Sequence, residues 1–326
     1  MMSQPTSRPL VSILINNYNY ARFLSEAIDS ALSQDYPTKE ILVVDDGSTD
    51  NSREIIAKYG DRIVPIFKKN GGQASAFNAG VAASRGEILC FLDADDLFHA
   101  QKVTQVVNVF CQQGVNTKPM MVQHLLAVKS DKGEDVDGRP YGKTHDASFN
   151  LYAFAQRYRF VWYEAGPTTT LSINRMLARK IFPLPEMAVR VSGDDFIVCG
   201  ASLLGEVYSI NDILGRYRVH GNNHWFHTDR RKPTEFLGRL ENYLNSKLVE
   251  NDLSPVISFD NSIYAWSRLV DERRWPKLAW HMFKLSVRQH DRYTALFVYY
   301  TLMTIGMLTM KNLRRRTRQL RGALGL

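Results

Sequence analysis

Three carboxylates are crowded into four positions at the end of an apolar run. Residues 88–98 read ILCFLDADDLF, in which Asp93, Asp95 and Asp96 follow a stretch of strand character. Carboxylates this close repel one another when ionised, so the cluster is best explained by a cation, or by a metal-bound phosphate, that holds it together. The pattern predicts a divalent-metal site on an enzyme.

Strand-like and helix-like stretches alternate through the first hundred residues. Short runs rich in Val and Ile occupy 10–18, 40–46, 62–70 and 87–93, and helical patterns occupy 21–34, 50–59 and 73–84. Apolar runs of this kind suit strands buried on both faces. The alternation predicts an α/β fold with an open, mostly parallel sheet flanked by helices.

Polar residues follow each predicted strand. Asn16, Asn17 and Tyr18 end the first, Asp45 and Asp46 the second, Asn70 and Gly71 the third, and the carboxylate cluster the fourth. In open α/β sheets the ligand lies outside the carboxyl ends of the strands. These residues therefore predict one shared site. Neither the glycine fingerprint of dinucleotide-binding proteins nor the Walker phosphate loop is present, so the ligand is held in another way.

Six motifs occur in a fixed order along residues 9–225: VSILINNYNY, ILVVDDGSTDNS, NGGQASAFNAG, ASRGEILCFLDADD, SGDDF and YRVHGNN. In this order they resemble the family 2 glycosyltransferases with the GT-A fold. The resemblance implies inverting transfer of a sugar from a nucleotide-diphosphate donor, with Mn²⁺ or Mg²⁺ as cofactor. A metal that bridges carboxylate and phosphates would stabilise the departing diphosphate.

The resemblance assigns donor-binding roles to residues after the first, second and fourth strands. By position, Asp95 resembles the metal ligand and Asp93 the residue that contacts the ribose or the hydration shell of the metal. Tyr18 resembles the aromatic residue that stacks on the base, and Asp46 the carboxylate that accepts a hydrogen bond from a uracil-type N–H. A UDP-sugar is therefore the expected donor, although Asp45 and Asp46 also fit a capped turn.

Two later motifs are expected to complete the site. An inverting displacement needs a base for the acceptor hydroxyl, and Asp195 resembles that base, with Asp194 as the second candidate. Ser192 to Asp195 also fit a helix cap, and both roles can coexist. Arg218 or His220 is expected to neutralise phosphate charge or to complete the metal shell.

The net charge of +8 is concentrated near the carboxyl terminus. Residues 226–326 carry 18 Lys and Arg against 9 Asp and Glu, whereas residues 1–225 are close to neutral. Residues 293–310 have no charge and precede a basic run, which fits a core helix, an interfacial helix or a marginal spanning segment. We expect a catalytic domain over 1–225 and a basic helical extension over 226–326 that attaches to anionic lipid.

The expected activity is addition of a single sugar to a hydroxyl of a glycan or lipid-linked acceptor, in surface polysaccharide synthesis. The alternatives are a non-catalytic glycan-binding or scaffolding protein of the same fold, and a sugar-phosphate nucleotidyltransferase. The second would carry a glycine-rich basic loop where this chain has Asn16 to Asn19. Nucleic acid is not an expected partner, because no recognised nucleic-acid module is present.

Three cysteines without motif spacing favour buried thiols in a reducing compartment. The apolar stretch near the start is too short for the core of a signal peptide. The expected location is the cytoplasm, peripheral on the inner face of the cytoplasmic membrane.

Overall fold

A computed structural model describes residues 8–136, 138–159, 161, 163, 165–186, 192–221, 223 and 234–259. Most of the predicted basic extension, including the uncharged segment 293–310 and its expected contact with lipid, lies outside the described residues. The boundary near residue 225 stays a prediction.

One eight-stranded sheet organises the described residues. Its strands are β1 Val11–Asn17, β2 Lys39–Asp45, β3 Val64–Phe67, β4 Ile88–Asp93, β5 Leu97–Phe98, β6 Met120–Ser130, β7 Leu171–Asn174 and β8 Glu206–Val219. The helices are α1 Ala21–Leu32, α2 Ser52–Ala57, α3 Gln73–Ala83, α4 Lys102–Gln113, α5 Tyr152–Tyr158, α6 Arg175–Ile181, α7 Gly193–Leu204 and α8 Thr234–Glu250, and short 3-10 turns cover Gly60–Arg62 and Thr168–Thr170.

The strand order is β3-β2-β1-β4-β7-β6-β8-β5. The first four strands pair in parallel, as the alternating pattern predicts. Strand β7 runs antiparallel to both β4 and β6, and β5 runs antiparallel to β8, while β6 and β8 are parallel. The α/β class and the open, helix-flanked sheet are confirmed, and the later strands make the sheet mixed.

Helices cover both faces of the sheet, which explains why the central strands are apolar throughout. On one face, Ile13 and Ile15 pack with Leu24 and Ile28 of α1 and with residues of α4. On the other face, Phe77 of α3 meets β4 edge to face. Because the central strands are buried on both faces and run parallel, their carboxyl ends lie along one edge of the sheet.

One element, β6, was not resolved by the sequence pattern. Periodicity weakens after residue 115, yet β6 is an 11-residue strand there. This strand is buried by its pairing with β7 and β8, and the local sequence pattern does not predict that burial.

Helix α8 packs on α6 and α7 through Tyr243, whose ring centre lies 5.2 Å from that of Phe196. In the part of the chain that the structure describes, no helix has the length and apolarity needed to cross a membrane.

Candidate active site

The carboxylate cluster forms a tight turn where β4 ends. The Asp96 N–H donates to the Asp93 carbonyl oxygen at 3.1 Å. Thr169, which is fully buried, ties both ends of this turn: its hydroxyl donates to Asp96 Oδ2 at 2.5 Å and accepts from the Asp93 N–H at 3.2 Å. The turn is thus held by a side chain from the segment that enters β7.

Burial raises the pKa of Asp93 and of Asp96 well above the ordinary range of a carboxyl. The charge of Asp95 adds to the effect on both groups, and the charge of Asp194 adds to it on Asp93. The negative charge of ionised carboxylates in this position is not fully neutralised by nearby positive groups, so binding of a cation there would be favourable. Asp194 is also shown to lie near Asp93, although the two are a hundred residues apart.

The end of β8 supplies the positive and imidazole groups that face this turn. The Arg218 N–H donates to Asp96 Oδ1 at 3.0 Å, and Arg218 Nε donates to the Asp95 carbonyl oxygen at 2.9 Å. His220 Nε2 lies 3.0 Å from Asp95 Oδ2, and its ring is buried. Asn223 Nδ2 closes the turn by donating to the Arg218 carbonyl oxygen at 2.9 Å. The tertiary structure therefore brings Asp95, Arg218 and His220 together.

The Arg218 guanidinium is directed toward α1. Arg218 Nη2 donates to Glu26 Oε2 at 2.7 Å, and the guanidinium carbon lies 4.7 Å from the centre of the Phe23 ring. Phe23 also contacts His220, with ring centres 4.8 Å apart. The predicted contact of Arg218 with a phosphate stays a prediction.

Asp95 and His220 are the pair best placed to hold a divalent cation. Among the described residues no group of three or more His, Cys, Asp and Glu side chains is arranged as a complete metal site. Mg²⁺ is commonly bound by one or two carboxylates together with substrate phosphates. The residues present fit a cation of that kind, whose remaining ligands would come from a diphosphate.

Asp46 is held in the structure by the loop that follows β3. Its carboxylate accepts from Lys68 Nζ at 2.6 Å, from the Gly72 N–H at 2.7 Å and from the Gly71 N–H at 3.0 Å. Gly72 has a φ of 86°, which a residue with a side chain rarely adopts, and this conformation turns its N–H toward Asp46. Asp46 therefore fixes the loop at the start of α3. Its predicted contact with a base stays a prediction.

Tyr18 follows β1 and has 46% of its surface exposed, so its ring is accessible to a base. Asp45 is fully buried and accepts from Asn17 Nδ2 at 2.9 Å. It also lies 3.5 Å from Arg53 Nε. The Ser48 N–H donates to Asp45 Oδ2 at 3.3 Å, so the capped-turn interpretation describes Asp45, whereas the Tyr18 side chain is exposed.

The start of α7 places the two candidate bases. Ser192 precedes the helix in a left-handed conformation, with a φ of 68°, and Asp194 and Asp195 lie in the first turn. The Gly193 N–H donates to Gln73 Oε1 at 2.8 Å, which joins the start of α7 to the start of α3. The partial positive charge of a helix N-terminus favours ionised carboxylates there. Both acids are half-buried.

Three residues of the site were not found by sequence reasoning. Tyr20 is one, since burial and then the charges of Asp95, Asp93 and Asp96 raise the pKa of its hydroxyl. The others are Thr169 and Glu26, and the available signal was the run of three threonines before β7. Asn16, which the sequence placed at the end of the first strand, pairs with Asp93 in register, and its amide is buried with no hydrogen-bond partner among the described residues.

Comparisons with known proteins identify relatives of this chain. The family model described as "Glycosyl transferase family 2" matches residues 12–136. An uncharacterised glycosyltransferase of Nostoc sp. is 38% identical over 225 residues, which make up 66% of each chain. An uncharacterised glycosyltransferase of Rickettsia typhi is 46% identical over 108 residues, which make up 33% of this chain and 34% of its own. The alignments thus span only part of each relative.

Among solved structures, residues 1–349 of S. aureus TarS in complex with UDP-GlcNAc superpose with a TM-score of 0.58 at 15% identity. The match covers 86% of this chain and 81% of that one, and it shows the shared fold. The ordered motifs, the carboxylate turn after β4 and the match to the family model lead to one conclusion: this chain belongs to the family 2 glycosyltransferases.

Proposed function

We propose that this protein transfers a single sugar, with inversion, from a nucleotide-diphosphate donor to a hydroxyl of a glycan or lipid-linked acceptor. The observation that carries the proposal is the convergence of Asp93, Asp95 and His220 at the carboxyl edge of the sheet, near Asp194 in the first turn of α7. This proximity supports the proposal, because the residues we assign to the donor and to the acceptor lie close together.

The donor would lie across the ends of β1, β2 and β4. Tyr18 has the exposure needed to stack on a base, and the buried Asn16 amide, beside Asp93 in register, is available to a polar group of the nucleotide. UDP is the preferred nucleotide, since TarS, which shares the fold, was solved with UDP-GlcNAc. Asp93 would contact the ribose or water bound to the cation.

Asp95 and His220 would hold Mn²⁺ or Mg²⁺ together with the diphosphate oxygens. When bound, such a cation supplies positive charge that stabilises the departing diphosphate. Arg218 fixes the backbone of Asp95 and the carboxylate of Asp96, and so keeps this turn in place.

The acceptor hydroxyl would lose its proton to Asp195, with Asp194 as the second candidate. The hydroxyl oxygen would then bond to the anomeric carbon on the face opposite the diphosphate, while the bond from that carbon to the diphosphate oxygen breaks. The nucleoside diphosphate would leave, and the configuration of the anomeric carbon would invert. The first turn of α7 positions both carboxylates, because Gly193 is anchored to Gln73 of α3.

Surface polysaccharide synthesis at the inner face of the cytoplasmic membrane is the setting we propose. It is supported by the basic composition of residues 226–326, which suits anionic lipid. Removal of residues 293–326 should release the protein to the soluble fraction and leave donor hydrolysis intact. Unchanged membrane association of the truncated protein would contradict this setting.

The direct test of the activity is a screen of nucleotide sugars for hydrolysis with and without Mn²⁺. We expect one UDP-sugar to be hydrolysed in a Mn²⁺-dependent manner, and UDP to bind the protein in calorimetry. An absence of binding to every nucleotide tested would overturn the proposal.

A further inference from the structure

Three residues of α1 form a continuous contact with the end of β8. Tyr20, which precedes the helix, Phe23 and Glu26 are spaced three residues apart, so they share one face. The His220 ring lies 5.7 Å from Tyr20 and 4.8 Å from Phe23, and Arg218 lies over Phe23 and bonds to Glu26. We call this set the α1 platform.

Arg218 is the link between the α1 platform and the carboxylates. Its side chain is 5% exposed, and it binds the Asp95 carbonyl oxygen through Nε while its own N–H binds Asp96. Its terminal nitrogens are directed to the Glu26 carboxylate, with Nη2 at 2.7 Å and Nη1 at 3.5 Å. A buried guanidinium that loses its carboxylate partner is left with uncompensated charge.

We infer that Glu26 is a positioning residue of the carboxylate site and acts through Arg218. Glu26 pairs with the terminal nitrogens of Arg218 and directs them toward α1, while Nε stays on the Asp95 carbonyl oxygen, and this leaves the carboxylates of the acidic turn available to a cation. The fixed Arg218 in turn keeps the Asp95–Asp96 turn in place. Because the cation belongs to the proposed function, the inference rests on that proposal.

Loss of the Glu26 carboxylate would weaken cation binding in two ways. A released guanidinium carries its charge toward the acidic turn and competes with the cation. The turn also loses the constraint on its backbone. Both effects weaken cation binding, and neither requires Glu26 to touch the donor: its side chain is 55% exposed and bonds to Arg218 Nη2, whereas the Asp95 carbonyl oxygen bonds to Arg218 Nε.

The test measures Mn²⁺ affinity of the full chain in the presence of UDP, by the electron paramagnetic resonance signal of free Mn²⁺. Glu26→Ala should weaken Mn²⁺ binding about tenfold, the effect of losing one charge-assisted hydrogen bond. Glu54→Ala is the matched control, because it removes an exposed carboxylate from the first turn of α2 and should leave the affinity unchanged.

A double variant shows whether the effect passes through Arg218. In the Arg218→Met background, Glu26→Ala should change Mn²⁺ affinity by less than about twofold, since the link is already broken. A full effect of Glu26→Ala in that background, or none in the wild-type background, would overturn the inference. A merely structural role would lower the melting temperature without changing Mn²⁺ affinity of the folded protein.

If Arg218→Met does not fold, Glu26→Gln carries the test. Gln retains one acceptor oxygen but not the charge, so its Mn²⁺ affinity should lie between those of wild type and Glu26→Ala. Wild-type affinity in both single variants would refute the inference. Failure of the wild-type protein to bind Mn²⁺ and UDP together would instead refute the proposed function.

Discussion

Asp95 Oδ2 and His220 Nε2 lie 3.0 Å apart although 125 residues separate them in the chain. Asp95 follows β4 and His220 follows β8, two strands that are not neighbours in the sheet. The contact forms because β5 pairs antiparallel with the last part of β8 and brings the two strand ends together. This pair is where we expect the cation to bind.

Removal of Asp95 should abolish metal-dependent donor binding. In Asp95→Ala the cation loses its carboxylate ligand, and calorimetry with UDP and Mn²⁺ should show no Mn²⁺-dependent gain in affinity. His220→Gln should weaken that gain about tenfold, since one ligand remains. Asp61→Ala, which removes an exposed carboxylate of the 3-10 turn before β3, should bind as wild type does. Metal-dependent binding by Asp95→Ala would place the cation elsewhere.

Replacement of the base should separate binding from transfer. Asp195→Asn keeps the size of the side chain but removes its capacity to take a proton, so kcat should fall at least about 100-fold. Affinity for the donor should stay within about twofold, because Asp195 is assigned to the acceptor hydroxyl.

Transfer activity of Asp194→Asn, measured in the same assay, shows which of the two acids is the base. Normal transfer by Asp195→Asn together with loss of transfer by Asp194→Asn would assign the base to Asp194. Equal, full activity of both variants would exclude this turn of α7 as the source of the base.

Asp46→Asn should destabilise the protein as well as alter nucleotide binding. The buried carboxylate would lose its ion pair with Lys68, so the free energy of unfolding should fall by about 2 kcal/mol. Urea unfolding measures this change, with Asp61→Asn as the control. If stability is unchanged while UDP affinity falls, the role of Asp46 lies in base recognition and not in holding the loop at 68–72.

Thr169→Val should loosen the acidic turn without changing side-chain shape. The variant loses the hydroxyl that donates to Asp96 and accepts from the Asp93 N–H. We expect the free energy of unfolding to fall by about 1 kcal/mol and Mn²⁺ affinity in the presence of UDP to weaken. Thr170→Val removes a neighbouring hydroxyl that donates to the Pro167 carbonyl oxygen at 2.8 Å, and it should leave Mn²⁺ binding unchanged.

His124 should make the protein sensitive to acid. Burial, and then the charge of Lys102, lowers its pKa from 6.5 to about 3. Between these values the unfolded chain binds a proton that the folded protein excludes, so stability is present above pH 6.5 and is lost as the pH falls toward 3. Urea unfolding from pH 8 to pH 4.5 should show a smaller loss for His124→Gln than for wild type. Parallel loss in both proteins would show that other groups cause it.

The strands near the site could be predicted because their residues are apolar without interruption. The predicted strand at 87–93 corresponds to β4 at Ile88–Asp93, and the predicted helix at 73–84 to α3 at Gln73–Ala83. In contrast, the sequence pattern did not predict β6, because the exposure of its residues varies along the strand and its pairing partners come from distant parts of the chain. Local hydrophobic periodicity indicates which residues are buried, but it does not indicate the order of the strands in the sheet.

The sequence by itself determined that Asp46, Asp93 and Asp95 share one edge of the sheet, because the carboxyl ends of parallel strands meet there. Only the tertiary structure decided what each residue touches: Asp46 the loop before α3, Asp96 the hydroxyl of Thr169, and Arg218 the carboxylate of Glu26. These contacts join segments between 26 and 192 residues apart. The contacts of Asp96 and Arg218 depend on how β5, β7 and β8 close around the acidic turn, and no local pattern in the chain specifies that closure.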